Sequence, residues 1–145
     1  MSANLYEQDF YAWANEQAGL LRAGKLSEAD LEHIAEEIES MGKSEKRELV
    51  NRLSVLLMHL LKWQFQATGR GTSWRLTIEE QRDRLADHLA DNPSLKATLD
   101  ASIASGYKLA VLGAARETGL DRAIFPAVCP WAFQQIMAED FWPEA

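Results

Sequence analysis

The sequence predicts an all-α fold: a bundle of about five main helices with a short C-terminal helix, in a single helical domain over residues 1–145. Apolar residues recur at spacings of three and four along most of the chain, as they do on one face of a helix. No segment shows the apolar–polar alternation that is typical of a half-buried strand. A hydrophobic content of 47% and a charged content of 26% indicate a globular chain with a core.

Capping signals predict two helices in the first third of the chain. The segment Asn4–Glu7 fits a capping box, so we expect a first helix near residues 5–23, ended by Gly24 in a left-handed conformation. The segment Ser27–Asp30 fits the same box and predicts the start of a second helix. We expect the apolar stripe of that helix to face the core, and it consists of Leu31, Ile34, Ala35, Ile38 and Met41.

A wide leucine face predicts that the third helix lies at the centre. Gly42 costs about 1 kcal/mol within a helix relative to alanine, so we expect a break or a sharp kink there and a restart near Ser44. The small, polar segment 67–73 is expected to be the main loop, followed by a fourth helix from about Trp74 to Asp91. The core stripe of the third helix comprises Leu49, Leu53, Leu56, Leu60 and Trp63.

Proline and glycine mark the remaining elements. Pro93 suits the first position of a fifth helix, since the N–H that it lacks would have no partner there, and Gly119 is expected to end that helix. Small residues on it, Gly106 among them, predict that another helix approaches closely. A short helix over Trp131–Met137 completes the expected bundle.

The charge is unevenly distributed. Residues 1–42 hold nine acidic and two basic side chains, whereas residues 43–84 hold nine basic and five acidic ones, within a net charge of −7. This pattern disfavours general coating of nucleic acid and leaves room for one local anion-binding surface. Without a long apolar run or a secretory signal, we expect a cytoplasmic protein that does not enter the membrane. Cys129 is the only cysteine, so no intrachain disulfide is possible.

Several motifs, in order along the chain, resemble a bacterial family called domain of unknown function twenty-nine. They are Tyr6–Trp13, Ala35–Gly42, His59–Trp63, Trp74-Arg75, Pro93–Leu95, Cys129-Pro130 and Asp140–Pro143. The resemblance covers nearly the whole chain. It implies a small helical cytoplasmic protein, found often in cyanobacteria and proteobacteria, with no agreed activity and no catalytic residues that could be assigned here.

Two groups of residues could hold a divalent metal. The acidic face of the second helix presents Glu32, Glu36, Glu37 and Glu39 with Asp30 and His33, and pairs one turn apart could each supply two ligands. A solvated face is the simpler interpretation. Three histidines on three predicted helices would make an open metal site if they met, and they are His33, His59 and His88. A metal-dependent enzyme is therefore one hypothesis; no other cofactor is predicted.

The basic and aromatic segment 62–84 could bind an anion or nucleic acid. Its loop amides lead into a helix N-terminus, which attracts phosphate or carboxylate, and arginine adds bidentate contacts. Tryptophans could stack on unpaired bases. The candidate residues are Lys62, Arg70, Trp74 and Arg75. Ion pairs between helices are the simpler explanation for these cations.

No serine or cysteine has a neighbouring motif for nucleophilic catalysis, and no convincing catalytic motif of another kind is present. The five tryptophans and the wide leucine face exceed what a small monomer needs. A protein-interaction or regulatory module is therefore the leading hypothesis, with a protein partner or a homodimer.

Overall fold

The computed structural model describes residues 5–144, and within them every regular element is helical. The all-α prediction is thus confirmed. The capping residue Asn4 lies outside the described residues. The α-helices are α1 (Leu5–Gln8), α2 (Phe10–Arg22), α3 (Leu31–Phe65), α4 (Thr72–Asp91), α5 (Leu99–Thr118) and α6 (Phe133–Met137). Short 3-10 helices occupy Leu26–Glu28, Ala67–Gly69, Pro93–Thr98 and Arg122–Ile124. None of the described helices is both long and apolar enough to cross a membrane.

By its internal contacts the chain divides into two compact units, the N-terminal unit ending at Ser44 and the C-terminal unit beginning at Glu45. The single-domain interpretation stays a prediction. In the N-terminal unit, the predicted first helix is interrupted at Asp9, whose carboxylate accepts a hydrogen bond of 3.0 Å from the Ala12 N–H and so caps α2. Gly24 has φ of 72°, the left-handed conformation expected after the helix.

The helix α3 runs through Gly42 without interruption, so the predicted break there is wrong. A glycine penalty of about 1 kcal/mol is small beside the continuous hydrogen bonds of a 35-residue helix that contains no proline. The predicted start at Ser27 is also wrong. A 3-10 turn comes first, and Asp30 caps α3 instead, its Oδ1 accepting from the His33 N–H at 3.3 Å.

Leucines of α3 form the core of the C-terminal unit, as predicted. Leu49, Leu53, Leu56 and Leu60 are fully buried, and Trp63 packs against the cluster. The helix α5 lies close to α3 at Gly106, where an added Cβ would be 3.2 Å from the Leu53 Cβ and from a main-chain oxygen of α3. The predicted close approach of two helices is therefore confirmed.

The other expected elements are present with shifted boundaries. Residues 93–98 form a 3-10 helix, so α5 begins at Leu99 rather than at Pro93. Gly119 ends α5 with φ of 75°. The short C-terminal helix begins at Phe133 instead of Trp131, which is itself buried in the core.

Candidate functional site

A network of hydrogen bonds around Asp30 joins the helices of the N-terminal unit. The Asp30 carboxylate accepts from the indole N–H of Trp13 at 3.2 Å and from His33 Nδ1 at 2.6 Å. The main-chain N–H of Asp30 donates to the Gln17 side chain at 2.7 Å. Trp13 and Gln17 are the only buried residues that the structure describes in this unit. Its helices are therefore held together by these hydrogen bonds and by aromatic contacts of Trp13, whose ring lies 4.7 Å from that of Tyr6 and 6.4 Å from that of His33 between centroids.

Tyr6 covers the same network from the side of α1. Its ring is stacked on the His33 imidazole, with centroids 4.0 Å apart and planes 13° apart, and its hydroxyl donates to the Glu37 carboxylate. That hydrogen bond raises the pKa of Tyr6 to about 12. The Asp30 carboxylate raises the pKa of His33, and the His33 imidazole lowers the pKa of Asp30. The sequence placed His33 and Glu37 on a solvated acidic face, whereas here both contact α1.

With His33 and Glu37 turned toward Tyr6, the apolar stripe of α3 faces solvent. Leu31, Ile38 and Met41 are 54%, 60% and 62% exposed. The expectation that this stripe faces the core is therefore wrong. Adjacent positions along the stripe are three or four residues apart, so they lie on one face of the helix.

Charged residues flank the stripe on one edge. Glu32, Glu36, Glu39 and Lys43 are exposed there, as the solvated interpretation of the acidic face expected. Within the described residues, none of these glutamates forms an ion pair with Lys43 or with another basic group. We call the stripe and this edge together the acidic–apolar face, and most of its side chains are exposed among residues 5–144.

The three histidines have separate environments. His33 belongs to the N-terminal unit, and His59 and His88 to the C-terminal unit. His59 Nδ1 lies 2.8 Å from the Val55 main-chain oxygen, and burial lowers its pKa. His88 Nε2 lies 2.8 Å from the main-chain oxygen of Glu45. Residues 5–144 contain no group of three or more His, Cys, Asp or Glu side chains that could hold a metal ion. Metal binding by these histidines stays a prediction.

Three of the four predicted anion-binding residues lie together and contact protein groups. Buried Lys62 donates to Glu117 at 2.7 Å and lowers its pKa, with its ammonium 4.6 Å from the centre of the Trp74 ring. Arg70 Nε donates to the Trp63 main-chain oxygen at 2.6 Å. Arg75 is exposed on α4. Anion binding stays a prediction, and on this geometry Arg75 is the cation most available for it.

Sequence reasoning missed the special position of Arg82. It appeared only as one more cation in the basic segment, yet its side chain is 4% exposed and holds the end of the chain. Its Nε donates to Ile136 O and its Nη2 to Phe141 O, both at 2.8 Å. The signal available in the sequence was its spacing of four from Ile78 and three from Leu85, which puts it on the buried face of α4.

The comparisons with known proteins agree with the resemblance found in the sequence. The family model described as "Domain of unknown function DUF29" matches residues 5–142. No curated protein and no solved structure matches the chain.

Proposed function

The chain belongs to the family Domain of unknown function DUF29, and we propose that it is a protein-interaction module that docks through the acidic–apolar face of α3 on a second copy of itself. The observation that carries this proposal is the exposure of Leu31, Ile38 and Met41 on one face of a continuous helix. A contiguous patch of exposed apolar side chains often marks a protein–protein interaction site.

The N-terminal unit has little apolar burial of its own. Trp13 is its one buried apolar side chain among the described residues, while seven large apolar side chains are more than 40% exposed. They are Phe10, Tyr11, Leu21, Leu26, Leu31, Ile38 and Met41. Structures of about 40 residues usually need oligomerisation, a metal or a disulfide for stability. A second chain lying on the stripe would supply the missing apolar contacts.

The spacing of the stripe favours a second copy as the partner. Leu31, Ile34, Ile38 and Met41 are separated by three, four and three residues, so their order is symmetric about Glu36. In an antiparallel pair of copies with a two-fold axis at Glu36, Leu31 of one copy faces Met41 of the other, and Ile34 faces Ile38. Such a self-complementary patch is what a two-fold interface requires. The alternation of spacings is also that of antiparallel helix pairs packed knobs-into-holes.

The charges beside the stripe determine how dimerisation is expected to depend on salt concentration. In this arrangement Lys43 of each copy lies within one helical turn of Glu32 of the other, which is favourable. Three glutamates against one lysine on that edge nevertheless give net repulsion between the copies. Because salt screens exposed charges, added salt is expected to strengthen the dimer. A partner with a basic face would show the opposite dependence.

Sedimentation equilibrium of the purified chain tests the proposal. We expect a monomer–dimer equilibrium in which added salt favours the dimer. Ile38→Glu should weaken dimerisation at least about tenfold, because a glutamate would be buried between the two α3 helices. The matched control is Leu76→Glu, an apolar position on α4 of similar exposure (53%, against 60% for Ile38), which should leave the equilibrium unchanged. A monomer at about 100 μM, or equal effects of the two variants, contradicts the proposal.

Disulfide trapping tests the orientation. In a Cys129→Ser background, Leu31→Cys and Met41→Cys proteins are oxidised separately and as a mixture. We expect the mixture to form a cross-linked heterodimer and each single protein to remain uncross-linked, since like positions would be about 15 Å apart along the axis. Cross-linking of each protein with itself, and not in the mixture, would show a parallel pair instead.

We also propose that the dimer acts in the cytoplasm. The cysteine content supports this, because a chain with one cysteine cannot form the intrachain disulfides that are common in oxidising compartments.

A further inference from the structure

A cavity of about 380 Å³ in the C-terminal unit is lined by Glu79, Arg82, Asp83 and Glu139. It lies where α4 meets the end of the chain, outside the acidic–apolar face. The three carboxylates are exposed, and the arginine is buried. The lining therefore combines three negative charges with one positive charge on a fixed guanidinium.

The guanidinium of Arg82 has hydrogen-bonding capacity left over. Arginine has five N–H donors; Nε and Nη2 are used by main-chain oxygens, and the Trp142 ring lies 5.4 Å from the guanidinium carbon. Its Nη1 is buried and has no acceptor among the described residues. Among the described residues, Arg82 also has no ion-pair partner. A buried donor without an acceptor is unfavourable, and more so when it is charged.

Two simple ligands fit poorly. A bare divalent cation is disfavoured because the described residues hold no group of three carboxylates or histidines that could bind a metal ion. A simple anion would satisfy Arg82 but would be repelled by Glu79, Asp83 and Glu139. The matching ligand needs an acceptor group for Arg82 and cationic groups for the carboxylates, at a separation of a few bonds.

We propose that this cavity binds a basic amino acid of the lysine or arginine type. The ligand carboxylate would bind Arg82, and its two cationic groups would lie among Glu79, Asp83 and Glu139. The signs of the charges are then complementary, because the negative charge of the ligand meets the one guanidinium and its two positive charges meet two of the three carboxylates. The same chemistry occurs in a free amino acid and, with one cation fewer, at the C-terminal lysine or arginine of a peptide.

Isothermal titration calorimetry of the full chain with L-lysine and L-arginine tests this proposal. We expect one molecule to bind per chain, and L-lysine to bind at least about tenfold more tightly than cadaverine, which keeps two ammonium groups but has no carboxylate. Nα-acetyl-L-lysine distinguishes the two sources: affinity equal to that of L-lysine favours a peptide C-terminus, and a weaker affinity favours the free amino acid.

A matched pair of variants locates the site. Glu79→Gln combined with Asp83→Asn should weaken L-lysine binding at least about tenfold. Glu80→Gln combined with Asp87→Asn changes the charge of α4 by the same amount away from the cavity and should leave the affinity within about twofold. These four positions are exposed, so the fold should tolerate all of these changes.

Three results would overturn the proposal. They are the absence of binding at about 10 mM ligand, equal affinities for L-lysine and cadaverine, and equal losses in the two double variants. The second would mean that Arg82 takes no part, and the third that only the overall negative charge of the protein attracts the ligand. None of these results bears on dimerisation, which is tested at other residues.

Discussion

The N-terminal and C-terminal units hold their helices together by different kinds of contact. In the C-terminal unit, fully buried leucines of α3 pack against α4 and α5 residues such as Ile78 and Ala110. In the N-terminal unit, hydrogen bonds converge on Asp30, and Leu31, Ile38 and Met41 of α3 are exposed. One helix therefore has a buried apolar face in its second part and an exposed one in its first.

This difference shows that a helical apolar stripe does not by itself mean a core. The stripe beginning at Leu49 is widened by neighbouring apolar positions such as Leu57 and Leu61, so most of that part of α3 is apolar. The stripe beginning at Leu31 is narrow, and polar side chains beside it contact the other helices of the N-terminal unit. Glu37 accepts a hydrogen bond from Tyr6 on α1, and the His33 imidazole contacts the Asp30 carboxylate and stacks on the Tyr6 ring, and in this orientation of α3 the stripe faces solvent.

The largest expected effect contrasts the two stripes directly. Leu57→Ala should lower the free energy of unfolding by about 2–5 kcal/mol, because it leaves a cavity in a fully buried cluster. Ile38→Ala should change it by about 0.5 kcal/mol or less when the chain is dilute enough to be monomeric. Urea denaturation followed by circular dichroism measures both. Equal losses would mean that the N-terminal stripe is buried after all.

A smaller, local effect is expected at the polar network. Asp30→Ala removes the cap of α3 and the acceptor of Trp13 and His33, so it should lower the local stability of the N-terminal unit, by less than Leu57→Ala lowers the stability of the C-terminal unit. Hydrogen exchange should show faster exchange in α2 and in the first turns of α3, with α4 and α5 unchanged. Asp87→Ala, an exposed position on α4, is the control. Uniform loss of protection along the chain would contradict a separate polar network.

The smallest expected effect is a difference between two histidine pKa values. His33 should titrate above the ordinary value of 6.5, because Asp30 stabilises its charged form. His59 should titrate below 6.5, because burial disfavours its charged form. NMR titration of the imidazole resonances measures both, and Asp30→Asn should bring the pKa of His33 down. A His59 pKa above that of His33 would contradict the described environments.

These shifts have opposite consequences for stability. Because the pKa of His33 is raised on folding, its contribution is fully present below pH 6.5 and is lost as the pH rises through the folded value. The pKa of Asp30 is lowered, so its contribution is present above pH 3.8 and is lost as the pH falls through its folded value. The Asp30–His33 contribution should therefore be greatest between these pH values. The contribution of His59 behaves oppositely to that of His33 and is lost toward acid pH.

Most residues of the acidic–apolar face could be identified from the sequence, but whether this face points to the core or to solvent could not. The residues of the stripe and the flanking glutamates could be named from their spacing. Their exposure depends on Tyr6, Trp13 and Gln17, which come from another part of the chain. These residues form hydrogen bonds with Asp30 and Glu37, and the Tyr6 ring stacks on His33. Spacing along one helix carries no information about such pairings. The same holds for Arg82, whose partners Ile136 and Phe141 lie more than 50 residues away.

The sequence by itself determined that the chain is helical, where most of its helices end, and which leucines form the core of the C-terminal unit. These features depend on local backbone preferences and on the helical period of about 3.6 residues in the apolar pattern. Both can be recognised within short segments of the sequence. Only the tertiary structure decided that α3 continues through Gly42, that its first stripe is exposed, and that Arg82 is buried beside three carboxylates. Those outcomes depend on contacts between distant segments, whose energies local spacing does not contain.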